Sequence, residues 1–167
     1  MQRPQLVAVD TNVLLRLADR HEATIDAWQL VKRRLAPVQF IVLPTVLGEV
    51  ATLTSHADSQ VAQTAAKALK ELRNRWEFQP VDFNAVEEAV TANAVRRLRD
   101  SGVVPYAERN DATIIAEAAV QNCILLVSRD SHLLAVDSER LTWQLRELDL
   151  PTPVIASPES LIKKFYR

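Results

Sequence analysis

Short apolar runs alternate along the chain with longer segments in which apolar residues recur at every third or fourth position. The runs predict strands at residues 6–9, 39–43, 77–81, 123–127 and 153–156. The helical spacing between them predicts helices beginning near Thr11, Glu22, Pro44, Asp58, Asn84, Asn110, Ser131, Ser138 and Ser157. Strands that alternate with helices favour an α/β fold. We expect a three-layer α/β/α sandwich around a central, mainly parallel sheet of about five strands.

The stretch from residue 110 to residue 130 contains one helix and the strand that follows it. Asn110 and Asp111 are good helix caps, and the apolar run 123–127 is typical of a strand buried on both faces. About eleven helical residues at ~1.5 Å each span the same length as five strand residues at ~3.3 Å each. A helix antiparallel to its following strand therefore brings Asp111 and Asp130 to the same edge of the sheet.

Two further acids are expected at that edge. Asp10 directly follows the first strand, and Glu49 lies about 9 Å into the helix after the second. Taken singly, each aspartate is explained as a helix cap, and Glu49 as a half-exposed flank residue or the partner of an arginine. Ligands of parallel sheets bind beyond the carboxyl ends of the strands, so the four acids together predict a site.

Clustered carboxylates raise one another's pKa unless a cation compensates their charge. Oxygen ligands without paired histidines or cysteines suit Mg²⁺ or Mn²⁺. Such ions bind substrate phosphate oxygens through one or two metal positions, which favours phosphoryl chemistry.

The composition narrows the class of protein. The chain has 167 residues, of which 48% are hydrophobic and 25% charged, and this suits one domain spanning residues 1–167. No apolar stretch has transmembrane length, and Cys123 is the single cysteine, so we expect a cytoplasmic protein with a buried, inert thiol. With a net charge of −1, binding to nucleic acid requires a local basic face.

At four places the chain resembles the acidic motifs of PIN-domain ribonucleases. The matching segments are residues 9–16 (Val-Asp-Thr-Asn-Val-Leu-Leu-Arg), 48–50 (Gly-Glu-Val), 110–116 (Asn-Asp-Ala-Thr-Ile-Ile-Ala) and 127–130 (Val-Ser-Arg-Asp). The resemblance implies metal-dependent cleavage of RNA that leaves 5′-phosphate and 3′-hydroxyl ends, and frequent homodimers. Many bacterial members, including VapC-type toxins, pair with a small antitoxin protein.

Carried over to this chain, the resemblance assigns three groups of residues. The catalytic and metal-binding acids, for one or two ions of Mg²⁺ or Mn²⁺, are Asp10, Glu49, Asp111 and Asp130. The groups that orient these acids are Asn12 and Ser128. The candidates for contacting RNA phosphates are Arg16, Arg109 and Arg129, although salt bridges from these arginines to the acids explain their positions equally well. His132 stands where some relatives have a further acid, which weakens the second metal position.

Rival interpretations have less support. A haloacid-dehalogenase-type phosphatase would need an aspartate where Asn12 stands, and the P-loop, nucleophile-elbow and zinc-protease motifs are absent. The strongest alternative is a catalytically inert PIN-like module that binds RNA or protein. Four intact acids argue against it, because an inert scaffold does not need a repulsive cluster.

Overall fold

A central parallel sheet organises the protein, in a computed structural model that describes residues 3–165. Its strands are β1 (Gln5–Val9), β2 (Val38–Val42), β3 (Phe78–Pro80), β4 (Leu125–Val127) and β5 (Val154–Ala156). They lie in the order β3-β2-β1-β4-β5, and every neighbouring pair is parallel. The expected mainly parallel sheet is confirmed and is parallel throughout. Its strand order reverses between β1 and β4.

Helices connect the strands and cover the sheet. They are α1 (Thr11–Ala18), α2 (Glu22–Arg34), α3 (Pro44–Leu53), α4 (Ser59–Glu71), α5 (Ala85–Asp100), α6 (Arg109–Val120), α7 (Ser131–Leu134), α8 (Ser138–Arg146) and α9 (Pro158–Phe165). Consecutive residues of β1, β2 and β4 are buried. Because successive strand side chains point to opposite faces, both faces are covered, and the predicted three-layer arrangement is confirmed.

Polar side chains determine where several helices begin. The carboxylate of Asp58 and the side chain of Asn84 accept backbone hydrogen bonds at the start of α4 and α5. Asn84 and Glu87 form a capping box, and Pro44 occupies the first turn of α3 as predicted. Asp10 and Asp130 cap α1 and α7 in the same way. Two of the predicted site acids therefore also act as helix caps.

The start of α6 differs from the sequence prediction. The helix begins at Arg109, with Glu108 at the N-cap position, so Asn110 and Asp111 lie within its first turn. Glu108 makes no capping hydrogen bond through its side chain, which explains why it gave no signal in the sequence. The correction places Asp111 on the surface of a formed helix, where its direction is fixed by the helix.

The apolar spacing of α5 predicts an inner face made of Val86, Ala89, Val90, Ala94 and Leu98, and this prediction is wrong in its first half. Val86 was expected inside, yet it is 72% exposed, whereas Thr91, Val95 and Leu98 are buried. Residues spaced by four drift around an α-helix, so Val86 lies about 120° away from Leu98 after three such steps. Only the later part of the apolar series therefore faces the core.

The core extends across the whole sheet. Trp28, Phe40, Trp76 and Phe78 form a chain of aromatic contacts against β2 and β3. Cys123 is buried, and burial raises the pKa of its thiol to about 12, as expected for an inert cysteine. Among the described helices, none is both long and apolar enough to cross a membrane.

Candidate active site at the carboxyl edge of the sheet

The candidate site lies where the strand order reverses, at the carboxyl ends of β1 and β4. The backbone N–H of Asp10 donates to the carbonyl of Val127 over 2.9 Å, so these two strand ends are joined. Ser128 directly follows β4, and Asp130 comes two residues later. This is the position at which open parallel sheets bind their ligands.

The Asp10 carboxylate is buried and fully engaged by neighbouring donors. Its Oδ1 accepts from the backbone N–H of Thr11 at 2.7 Å. Its Oδ2 accepts from Asn12 Nδ2 at 3.1 Å and from Ser128 Oγ at 2.7 Å. Burial raises the pKa of Asp10 despite these bonds, and the nearby charges of Glu49 and Asp130 add to the increase. The side chain is held in one orientation at an electrostatic cost.

Asn12 and Ser128 connect Asp10 to the segment that carries Asp130. The Ser128 hydroxyl donates to Asp10 and accepts from the backbone N–H of Asp130 at 2.9 Å. The Asn12 side chain donates to Asp10 and accepts from the backbone N–H of Arg129 at 3.1 Å. Both side chains therefore bridge the gap between the two strand ends.

Glu49 reaches the same edge from α3. Its Oε2 accepts a hydrogen bond from Thr11 Oγ1, and its Oε1 accepts from Asn110 Nδ2 at 2.9 Å. These partners lie in the first turns of α1 and α6. Glu49 thus links the helix that follows Asp10 to the helix that carries Asp111.

Asp111 is the acid with the most perturbed environment. Its side chain is 16% exposed, and His132 Nδ1 lies 3.9 Å from Asp111 Oδ2. Burial, followed by the charges of Asp130, Glu108 and Asp10, raises the pKa of Asp111 to about 6. The acids from both ends of the 110–130 stretch therefore interact electrostatically.

The four predicted acids share one edge without closing into a coordination sphere. Within residues 3–165, the one set of three acidic or imidazole side chains with ligand atoms mutually within 4.8 Å is Glu108, Asp111 and His132. Asp10, Glu49 and Asp130 are directed to hydrogen bonds with Ser128, Asn110 and the start of α7, respectively.

Within residues 3–165, the negative charge of the four acids is not compensated by an ion pair with arginine or lysine. Over the described part of the chain, no such residue forms an ion pair within 4.0 Å with Asp10, Glu49, Asp111 or Asp130. A group of carboxylates that lacks a basic partner fits a hard divalent cation, whose preferred ligands are oxygens. The donor set is therefore compatible with Mg²⁺ or Mn²⁺.

A family model for the PIN domain matches residues 7–139. The chain belongs to the PIN-domain family. The match includes all four acids and the strands and helices that carry them, up to the start of α8. The family resemblance first seen in short acidic motifs is thus confirmed over most of the chain, and PIN domains are commonly nucleases.

Solved structures support the same fold for this PIN domain. One similar structure is VapBC2 from Rickettsia felis, which was determined bound to a DNA fragment from its promoter. A chain of that structure matches this protein with a TM-score of 0.62 and 15% sequence identity. The match covers 92% of this chain and 98% of that chain. FitAcB from Neisseria gonorrhoeae matches with a TM-score of 0.53 and 14% sequence identity, and the match covers 92% of this chain and 98% of that chain. Comparison with curated proteins finds no match.

Two of the three candidate arginines have partners other than the four acids. Arg16 Nη1 lies 2.9 Å from His21 Nε2, and Arg129 Nε forms a 3.0 Å ion pair with Glu159. Within residues 3–165, neither of these two arginines forms a salt bridge with one of the four acids. Arg109 is exposed at the first position of α6 and is the candidate nearest in sequence to Asp111.

Two acids of this PIN domain, Glu108 and Glu117, were not predicted from the sequence. Glu108 Oε1 lies 3.3 Å from His132 Nδ1, so His132 faces acids and is not only a solvated residue. Glu117 is buried and accepts from the N–H and hydroxyl of Thr45 at 3.1 and 2.8 Å. A glutamate within the otherwise apolar run 114–120 was the available signal.

Proposed function

We propose that this PIN domain is a ribonuclease that hydrolyses RNA phosphodiester bonds and depends on Mg²⁺ or Mn²⁺. The observation that carries the proposal is the set of four uncompensated carboxylates at the carboxyl edge of the sheet. Burial and mutual repulsion raise the pKa of Asp10 and Asp111, so the unliganded protein carries an electrostatic cost there. A site that maintains such a cost is a candidate for function.

The residues that would hold the ions are Asp10, Glu49, Asp111 and Asp130. Bound there, one or two divalent ions would supply Lewis acidity and offset the negative charge that develops on the phosphate. Glu108 and His132 extend the donor set on the side of Asp111. Their positions support a second ion position on that side of the proposed site.

The neighbouring side chains would hold the acids in place during the reaction. Ser128 and Asn12 fix the direction of Asp10 through hydrogen bonds to the same carboxylate oxygen. Thr11 and Asn110 do the same for Glu49 from two different helices. Positioning of this kind lowers the reorganisation needed when charge develops on a substrate. Arg109, which is exposed, would contact an RNA phosphate, and Arg16 and Arg129 are the further candidates.

The biological role that we propose is that of a cytoplasmic toxin neutralised by a small antitoxin protein. Its support is the resemblance of the acidic motifs to VapC-type proteins and the fold shared with a chain of VapBC2. We also expect a homodimer. Large apolar side chains on the surface, including Val86 and Val154, offer area for contacts between proteins.

Cleavage of RNA tests the proposed activity. Purified protein is incubated with structured and single-stranded RNAs in Mn²⁺ or Mg²⁺, alongside Asp10→Asn and Asp111→Asn. Asp26→Asn, on the exposed surface of α2, is the matched control. We expect cleavage by the parent and by Asp26→Asn, with loss in both site variants and in EDTA. Cleavage that persists in the site variants would contradict the assigned acids, and the absence of cleavage by the parent would favour an inert binding module.

Growth after induced expression tests the proposed role as a toxin. We expect the parent and Asp26→Asn to arrest growth, and Asp10→Asn to permit it at equal protein levels. Co-expression of a short reading frame adjacent to the coding region should restore growth. Equal arrest by the parent and Asp10→Asn would show that the acid site is not the cause.

A further inference from the structure

A second cleft lies beside the acids, between α5 and α6. It has a volume of about 550 Å³, within the range of small-molecule sites. Its lining includes Thr91 and Arg99 from α5, Tyr106 from the connecting loop, and Arg109 and Glu117 from α6. We call it the α5–α6 cleft.

The cleft opens at the same edge of the sheet as the acids. Its walls include Pro44, which begins α3 after β2, and Asp82, which lies shortly after β3. Arg109 is two residues before Asp111 on α6, so one helix borders both the cleft and the acids. A nucleotide chain that crosses the acids along this edge can place a neighbouring nucleotide in the cleft.

Tyr106 provides an aromatic surface that is already held in place. The Arg99 guanidinium lies 4.0 Å from the centre of the Tyr106 ring, and Arg99 Nε donates to the Tyr106 carbonyl at 2.8 Å. These contacts fix the loop to α5, yet the tyrosine remains 66% exposed. An exposed ring that is already ordered binds a planar partner with little further loss of entropy.

The charges of the cleft favour a nucleobase over a phosphate. Three arginines line it (Arg96, Arg99 and Arg109), but so do four carboxylates (Asp82, Glu88, Asp100 and Glu117). The carboxylates would repel a polyanion, whereas a neutral base offers donors to carboxylates and acceptors to arginines. Single-stranded RNA is recognised in this way, by stacking on aromatic rings or arginine planes and by hydrogen bonds to base edges.

Thr91 gives an independent indication that the cleft is adapted to a polar group. Its side chain lines the cleft and is 7% exposed, and its hydroxyl has no hydrogen-bond partner among residues 3–165. An unsatisfied buried hydroxyl is costly.

We propose that the α5–α6 cleft binds a single unpaired nucleobase of the RNA strand, stacked on the Arg99–Tyr106 pair, next to the phosphate positioned at the acids. This inference rests on the proposed ribonuclease function and assigns the part of the site that selects among bases. It also gives Arg109 a role, because Arg109 lines the cleft at the start of the helix that carries Asp111 and would contact the phosphate that joins the two positions.

Equilibrium binding of a labelled, single-stranded RNA of mixed sequence tests the cleft. The measurement uses the full chain in the Asp10→Asn background with Mg²⁺, so that the RNA stays intact. Tyr106→Ala should raise Kd by about tenfold or more, because stacking on an aromatic ring contributes strongly to binding. Tyr106→Phe keeps the ring and should bind like the background protein. Trp143→Ala removes an equally exposed aromatic residue outside the cleft and should also leave Kd unchanged.

The outcomes separate this inference from the proposed function. Three results would each overturn the cleft assignment. They are equal Kd values for Tyr106→Ala and Tyr106→Phe, a loss of RNA affinity in Trp143→Ala equal to that in Tyr106→Ala, and the absence of RNA binding. If the parent cleaves RNA in a metal-dependent way and Tyr106→Ala does not change the Kd for RNA, only the cleft assignment would be overturned. Tyr106-dependent binding without cleavage would overturn the proposed hydrolysis while supporting the cleft.

Discussion

The hydroxyl of Ser128 donates a 2.7 Å hydrogen bond to Asp10 Oδ2 across the junction of β1 and β4. The same hydroxyl accepts from the backbone N–H of Asp130, so one buried side chain sets the separation of two acids. Neither strand alone could fix this geometry. The site depends on the order of the strands, which places β4 directly beside β1.

Replacing Ser128 should weaken both the fold and the activity. Ser128→Ala leaves a buried carboxylate oxygen and the Asp130 N–H with fewer partners, which should cost about 1–3 kcal/mol of unfolding free energy. We expect RNA cleavage to fall as well, because Asp10 loses its fixed direction. Chemical denaturation and cleavage rates check this result. Ser138→Ala, at the exposed start of α8, should change neither quantity, and an equal effect there would contradict the account.

The stability of the metal-free protein should fall with increasing pH because of Asp111. Its pKa is about 6 in the folded protein, compared with 3.8 as the ordinary value. The folded state therefore holds this proton more tightly, and the stabilisation present below pH 3.8 is lost as the pH rises to about 6. Asp111→Asn should consequently be more stable than the parent at neutral pH, by up to about 3 kcal/mol.

Denaturation in EDTA at several pH values measures this difference. The difference in unfolding free energy between Asp111→Asn and the parent should increase between pH 3.8 and about 6 and remain constant above that range. The difference in unfolding free energy between Asp26→Asn and the parent should not change with pH in this way. A constant difference at all pH values would mean that the Asp111 proton is not held as described.

Glu117 should stabilise the start of α3. The residue before that helix, Leu43, offers no side-chain cap, and Glu117 from α6 accepts two hydrogen bonds from Thr45 instead. Glu117→Ala should cost about 1–3 kcal/mol of unfolding free energy, since buried donors lose their partner. Glu117→Gln keeps an acceptor oxygen and should cost less. Equal losses of unfolding free energy in the two variants would show that Glu117 stabilises the protein through burial of its side chain and not through its hydrogen bonds.

The fold could be predicted from the sequence because its signals are local. Continuous apolar runs identify the strands, and residues such as Asn84 and Pro44 mark the helix starts through their own backbone contacts. The position of Asp111 followed from the lengths of one helix and one strand. The exposed Val86 was misplaced because an apolar series spaced by four does not stay on one face of a helix.

The contacts within the site were not available from the sequence. Glu117 and Thr45 are 72 positions apart, and Glu108 meets His132 only through the packing of α6 beside α7. Tyr106 was one aromatic residue in a loop, and its pairing with Arg99 depends on how that loop folds back on α5. Long-range pairs of this kind require the tertiary structure.

Calorimetric titration of the metal-free protein with Mn²⁺ at neutral pH tests the central claim most directly. If the acids are gathered around a divalent cation, the parent and Asp26→Asn should bind Mn²⁺, and Asp10→Asn and Asp111→Asn should bind it far more weakly. Binding should also weaken below pH 6, because protons compete for Asp111. Equal binding by the parent and both site variants, or no binding by the parent at millimolar Mn²⁺, would contradict the account.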